Sequence, residues 1–306
     1  MARKYRYSNL NDVQSIKSFA DLRRWQKERK TKKKDLSIKI EQAPHKEIDK
    51  LNNNRTNPSI TWIGHSTFLI QMNGLNMLTD PVWAKRMGFQ KRLTEPGIVL
   101  NDLPEIDVVF ISHAHYDHLH FPTIKKLKGE PFFYVPIGLG YAFKKRGYEK
   151  VIEGKWFESF EHENMTFSFV PAQHWTRRTL TDTNTSHWGG WIIESERHSI
   201  YFVGDTGYFS GFKEIGSKYN IEIVLMPIGA YEPEWFMKEN HINPEDAVQA
   251  FLELDGKTFI PMHYGTYHLA DDTGPEAISR LEAEWQRLKL NPSQLKKLLI
   301  GETYWL

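Results

Sequence analysis

The chain has 306 residues, 40% of them hydrophobic and 25% charged, with a formal net charge of +2. That length sustains a core without covalent staples, and so even a charge balance argues against a chain that binds polyanions by bulk charge. Cysteine is absent, which excludes disulfides, thiolate nucleophiles and cysteine-bound zinc within it.

Residues 1–57 are lysine-rich and carry the dense run Lys27, Arg29, Lys30, Lys32, Lys33 and Lys34. We read them as a basic N-terminal extension with a helix over residues 19–30, and residues 58–306 as one domain. The run reads first as a solvated arm. Its functional reading is contact with an anionic surface, worth on the order of 1 kcal/mol per basic residue. The polar start carries no secretory pattern, and no stretch approaches eighteen consecutive apolar residues. A cytoplasmic protein is expected, with peripheral membrane contact left open.

From residue 58 the texture changes. Residues 60–63 and 67–72 read as strands, Asn73-Gly74 as a tight hairpin turn, and residues 75–78 as the returning strand. The apolar run 107–112 fits a strand covered on both faces. Residues 166–170, 191–194, 199–203 and 221–227 are further strand candidates. Asn243 caps a helix with Pro244 at its first position and Ala247, Val248, Phe251 and Leu252 on its apolar face. A second helix spans 275–288, with Ile278, Leu281, Trp285 and Leu288 in one stripe.

Polar clusters follow several of these strands, the usual layout of a catalytic site on a rigid sheet. The densest is Ser112-His113-Ala114-His115-Tyr116-Asp117-His118. In extended chain, residues two apart point the same way, so His113 and His115 present two imidazoles to one point. A turn after His115 lets Asp117 and His118 reach a second point, which supplies ligands for two adjacent metals. Zinc usually takes four ligands, and His174, Asp205 and His263, each just after an apolar run, are candidates for the remainder. Taken singly, each would read as a hydrogen-bonded core residue or a helix cap.

With these residues the chain resembles the metallo-β-lactamase superfamily. Within it, the resemblance is to the N-acylphosphatidylethanolamine-hydrolysing phospholipase D branch. The resemblance is carried by Trp62-Ile63-Gly64-His65-Ser66, Leu78-Thr79-Asp80-Pro81, the HxHxDH block, Gln173-His174-Trp175, Trp188-Gly189-Gly190-Trp191 and Gly204-Asp205-Thr206-Gly207. It continues through Ile228-Gly229-Ala230-Tyr231-Glu232-Pro233, Trp235-Phe236-Met237-Lys238 and His263-Tyr264-Gly265-Thr266. The HxHxDH block is shared across the superfamily, whereas the IGAYEP and WFMK blocks are narrower.

The resemblance implies an α/β (α+β) fold, a four-layer αββα sandwich with two zinc ions in the cleft between its sheets. By family position His113, His115 and His174 hold the first zinc, Asp117, His118 and His263 the second, and Asp205 bridges them. These donors also suit manganese or iron. Water shared by two such cations loses a proton near neutral pH. The implied reaction is attack by that hydroxide on a lipid phosphodiester, oriented by Asp117 and Asp205, releasing phosphatidic acid and an N-acylethanolamine. A homodimer is the family's assembly.

His241 reads equally as a substrate contact or a structural histidine. Tyr231 and Trp235 read as lining for an acyl channel or, more commonly at such aromatic density, as core. His65 and Asp80 are expected to orient ligands. The competing enzyme reading is another hydrolase of this fold, a sugar-phosphate lactonase or a nucleic-acid phosphodiesterase, because a fold does not fix its substrate. Nucleic acid is the less expected partner, since the one dense basic run sits in the arm. A non-enzymatic, degenerate site would lack a ligand, and none of the seven is missing.

Overall fold

The computed structural model describes residues 5–32 and 34–306; Met1 to Lys4, and Lys33 of the basic run, lie outside the described residues. The chain passes through α1 (Phe19–Arg29), α2 (Ile48–Asn53), β1 (Ser59–Gly64), β2 (Thr67–Met72) and β3 (Leu75–Thr79). A short hairpin, β4 (Arg86–Met87) and β5 (Gln90–Lys91), precedes β6 (Val108–Phe110), α3 (Phe121–Ile124), β7 (Phe132–Pro136), α4 (Gly140–Lys144) and β8 (Val151–Gly154). There follow β9 (Glu158–His162), β10 (Met165–Val170), β11 (Gly190–Glu194), β12 (Ser199–Phe202), α5 (Gly211–Lys218) and β13 (Ile223–Pro227). The chain closes with α6 (Glu234–Met237), α7 (Pro244–Glu253), β14 (Thr258–Met262), α8 (Gly274–Arg287) and β15 (Thr303–Trp305).

Two sheets result. A seven-stranded sheet has the order β15-β1-β2-β3-β6-β7-β8, and a six-stranded sheet has the order β14-β13-β12-β11-β10-β9. Both change from antiparallel to parallel pairing part way across, at β3–β6 and at β12–β13. Strand periodicity explains the layering. Phe68, Ile70 and Met72 of β2, with Val108 and Phe110 of β6, point into the core shared with the second sheet. Leu69, Val109, Phe133 and Val135 point the other way, into a core with Leu51, Ile124 and Phe143 of α2, α3 and α4. Phe251 of α7 and Trp285 of α8 pack on Phe259 of β14, so helices also cover the outer face of the six-stranded sheet. The order helix, sheet, sheet, helix is the expected four-layer sandwich.

Local chemistry sets the boundaries. Asn243 caps α7 by accepting the Asp246 N–H at 2.8 Å, and Thr273 caps α8 through the Glu276 N–H at 3.3 Å. Leu252 departs from its expected place: it is 44% exposed, while Ala250 is buried. At 100° per residue, position 252 falls well off the stripe shared by 247, 250, 251 and 254. The strand expected over 107–112 shortens to Val108–Phe110, because the Ser112 N–H is taken by the Asp80 carboxylate instead of a neighbouring strand. Six strands have no counterpart in the sequence reading: β4, β5, β7, β8, β9 and β15.

The basic segment around α1 is tied to the domain. Trp25 stacks on Phe236 with ring centroids 4.9 Å apart and donates to Asp271 at 2.9 Å. Arg29 lies 3.1 Å from Asp271, and Lys34 reaches Glu276 at 2.8 Å and Glu232 at 3.2 Å. Part of the run is therefore neutralised at home. No helix among the described residues is long and apolar enough to cross a membrane.

Candidate metal centre

The seven residues singled out by pattern converge at one edge of the sandwich, each just beyond a strand. The chain does turn after His115: the His118 and Leu119 N–H groups both donate to the His115 carbonyl, at 3.2 and 2.8 Å. Arg178 clamps this turn by donating to the carbonyls of Ala114 and Leu119 at 2.7 and 2.9 Å. Asp205 follows Gly204, whose φ is +70° and where a Cβ would lie 2.7 Å from the Ser112 Cβ. Only glycine meets both conditions, so the Asp205 loop can press against the HxHxDH loop. His65, Asp80, Ala230 and His263 also hold left-handed φ values of 56°, 31°, 63° and 63°. Such conformations cost energy and survive where surrounding structure enforces them.

The donors form two adjoining groups. The imidazole nitrogens of His113 and His115 lie 2.9 Å apart, and those of His174 and His115 lie 3.1 Å apart. His113 Nδ1 is 2.9 Å from Ser112 Oγ, and His174 Nδ1 donates to the Asn240 carbonyl at 2.9 Å. His174 thus turns the lone pair of Nε2 towards the common point. In the second group His118 Nε2 lies 3.3 Å from Asp117 Oδ2, and His263 Nε2 lies 3.7 Å from the same oxygen. Asp205 stands between the groups. Its oxygens are 3.1 Å from His118 Nε2, 3.1 Å from His263 Nε2, and 4.0 Å from both His113 Nε2 and His174 Nε2.

This packing is unfavourable for the side chains alone. His118 Nδ1 donates to Asp80 Oδ2 at 2.6 Å, which turns Nε2 towards two carboxylates that call for positive charge there. Buried His118 Nε2, His263 Nε2 and Asp205 Oδ1 have no hydrogen-bond partner, although such atoms nearly always find one. The electrostatics agree. Burial pulls the His118 and His263 imidazoles down, yet the facing Asp205 and Asp117 carboxylates override it; His118 is held well above its usual range and His263 at about 9. Burial raises Asp205, and the His118 and His263 charges reverse this to well below the usual carboxylate range. Burial holds His113 and His174 well below, and His115 at about 4. One half of the site therefore calls for positive charge, and the other offers neutral nitrogen lone pairs. Divalent cations meet both demands: tetrahedral zinc places its nitrogen ligands about 3.3 Å apart, close to the spacings among the three histidines.

Side chains around the donors fix their orientation. Asp80 is wholly buried; it accepts from the Ser112 N–H at 2.8 Å and Oγ–H at 2.5 Å as well as from His118. His65 Nε2 reaches Asp117 Oδ2 at 3.1 Å. Asp80→Asn is expected to weaken metal binding by about 10–100-fold while leaving the fold intact, because its amide N–H would face the His118 N–H. Titration with a metal chelator, alongside circular dichroism, measures this; unaltered affinity would show that the imidazole needs no carboxylate behind it.

Of the three residues read as substrate contacts, His241 alone meets the cluster. Its Nδ1 is 3.7 Å from Asp205 Oδ2, and 18% of its side chain is exposed. Burial holds its pKa at about 4. Tyr231 is fully buried beneath the Arg280 guanidinium, 4.6 Å from its ring, so its place is the core and not a channel wall. Trp235 turns to α1, with Arg24 over its ring at 4.0 Å and its N–H on Glu28 at 3.1 Å. Two contributors escaped sequence reasoning. Arg178 was visible as a basic residue beside the His174 block, without a sign of which carbonyls it clamps. Asn240 acts through its backbone carbonyl, which no sequence pattern marks.

Residues 75–264 match the family described as "Beta-lactamase superfamily domain". The chain belongs to that superfamily, among its metal-dependent hydrolases. It is 40% identical over 226 residues to an N-acyl-phosphatidylethanolamine-hydrolyzing phospholipase D of Caenorhabditis elegans, covering 68% of this chain and 64% of the worm protein. The chain thus spans just under two thirds of that relative. A metal-dependent hydrolase of Methanopyrus kandleri is 31% identical over 212 residues, covering 68% of this chain and 84% of that protein. The solved structure of a metallo hydrolase from Ignicoccus hospitalis superposes with a TM-score of 0.62 at 21% identity, covering 82% of this chain and 99% of that one, a likeness of fold.

Proposed function

We propose that this chain hydrolyses phosphodiesters, with an N-acylphosphatidylethanolamine as substrate and phosphatidic acid and an N-acylethanolamine as products. The observation that carries the reading is the convergence of two donor groups on one carboxylate, with buried imidazole and carboxylate atoms left unpartnered between them. His113, His115 and His174 would hold one divalent cation, Asp117, His118 and His263 a second, and Asp205 would touch both. Zinc is the first choice for this donor set. Such a pair, when bound, supplies Lewis acidity: it acidifies water and neutralises charge on phosphate oxygens. The substrate chemistry is supported by the worm relative's name and 40% identity.

The chain's own groups do the remaining work. Asp80 holds the His118 proton on Nδ1, and the Asn240 carbonyl holds the His174 proton on Nδ1. Asp117 and Asp205 orient the attacking water. His241, 3.7 Å from Asp205 and partly exposed, would donate a hydrogen bond to a phosphate oxygen. Attack at phosphorus breaks the P–O bond to the ethanolamine oxygen: the attacking water's oxygen stays on phosphatidic acid, and the N-acylethanolamine oxygen departs as a strongly basic alkoxide that takes up a proton as it leaves.

Purified, zinc-loaded protein incubated with N-acylphosphatidylethanolamine in mixed micelles is expected to release both products in equal amounts. Turnover of a small phosphodiester or a lactone, with none of the lipid, would replace the lipid reading by another hydrolase of this fold.

A further inference from the structure

We propose that the segment around Asn9 and Ser15 is a positioning strap that fixes His174 for metal binding, an inference that rests on the two-metal reading above. Asn9 Oδ1 accepts from the backbone N–H of His174 and from Trp188 Nε1–H, both at 2.9 Å. Its amide donates to Ser15 Oγ at 2.6 Å and to the Val13 carbonyl at 3.1 Å. The Ser15 carbonyl accepts from Asn240 Nδ2 at 2.9 Å. The Asn240 carbonyl in turn accepts from His174 Nδ1 at 2.9 Å. These bonds form a closed circuit that begins and ends on His174.

Each link lies out of solvent: Asn9 is 8% exposed, Ser15 4%, Asn240 5% and His174 0%. A broken link would leave a buried donor or acceptor unpaired, which costs far more than an exposed hydrogen bond contributes. Asparagine is the residue the circuit needs at position 9. Aspartate keeps the acceptor and loses both donors, and alanine loses both functions. The turn that brings Ser15 back to Asn9 holds Asn11 and Asp12 at left-handed φ values of 55° and 54°. Beyond the circuit, the Tyr7 N–H donates to the Asn184 carbonyl at 2.9 Å, and the Tyr7 ring meets His187 edge-on at 4.6 Å. The segment is thus anchored on both sides of Asn9.

The physical consequence concerns one group of donors. A carbonyl can only accept, so Asn240 keeps the His174 proton on Nδ1 and frees Nε2, which lies 3.1 Å from His115 Nδ1. The strap holds both the backbone of His174 and the residue that sets its tautomer. It touches neither Asp117, His118 nor His263. The stretch that matches the superfamily begins at residue 75, so the strap lies outside it.

The test uses the full chain loaded with zinc, and the variants Asn9→Ala, Asn9→Asp and Ser15→Ala. Zinc content is read by mass spectrometry, and zinc release by transfer to a chromophoric chelator. Asn9→Ala is expected to weaken one of two zinc sites by about 10–100-fold and leave the other at its wild-type rate. Asn9→Asp, which keeps the acceptor, should recover much of that affinity, and Ser15→Ala should show a smaller loss at the same site. Wild-type release of both zinc ions from folded Asn9→Ala overturns the strap. If Asn9→Ala does not fold, Ser15→Ala decides, because it removes a single oxygen; unchanged release from it overturns the inference equally. Wild-type protein that binds less than one zinc sinks the two-metal reading itself, whereas two zinc ions with indifferent variants sink the strap alone.

Discussion

Asp205→Asn is expected to reduce phosphodiester turnover by about 10³-fold without unfolding the protein. The carboxylate is 3% exposed and lies within 4.0 Å of imidazole nitrogens from both halves of the centre. Asparagine preserves volume and one acceptor oxygen but removes the charge and the second anionic oxygen. A bound cation stabilises a phosphoryl transition state by several kcal/mol. Losing about 4 kcal/mol of that corresponds to about 10³-fold in rate. Single-turnover assays, with metal content determined on the same sample, separate lost metal from lost chemistry. Activity within tenfold of wild type, with two metals retained, would remove Asp205 from the mechanism.

Stripping the metals is expected to abolish turnover and to lower the melting temperature by about 10 °C for both sites together. Ligand at a thousandfold excess over its dissociation constant stabilises by about 4 kcal/mol per site, and a chain of this length loses entropy on folding in proportion to its residues. The deficit should depend on pH with a definite sign. In the stripped protein, His263 has its pKa raised from 6.5 to about 9. A raised folded-state pKa contributes stability that is full below pH 6.5 and lost as pH climbs through 9. Stripped protein should therefore weaken steadily between pH 7 and 9. The loaded protein should not, because metal occupies the place of those protons and binds better as its ligands deprotonate. Below pH 6.5 the trend changes sign, since His115 and His241, held at about 4 chiefly by burial, resist the charging that the unfolded chain permits. Calorimetry across pH 5–9, with and without chelator, measures both limbs. Identical melting at every pH would show that the cluster holds no metal in the purified protein.

Much of this molecule was legible as pattern. Spacing two apart paired His113 with His115, and the turn after His115 carried Asp117 and His118 to the neighbouring group. The cap at Asn243 falls where a polar residue and a proline precede an amphipathic run. These features are legible because they depend on neighbours in sequence, through backbone periodicity and local hydrogen bonds. The missed strands fail that condition. Glu158–His162 carries charged residues at a sheet edge, and Thr303–Trp305 becomes a strand only by pairing with β1 across more than two hundred residues.

By itself the sequence determined the donor set, its order along the chain, the apolar strands that end in it, and the superfamily. Tertiary structure decided which donors face one another and which aromatic residues stay out. Tyr231 and Trp235 belong to the same motif block, yet one is sealed under Arg280 and the other turns to α1. It also brought Asn9 to His174 across 165 positions. The reason is physical: a metal ligand's spacing is local chemistry written in adjacent residues. The hydrogen-bond circuit that orients it exists only once distant segments have lost access to water and must satisfy one another.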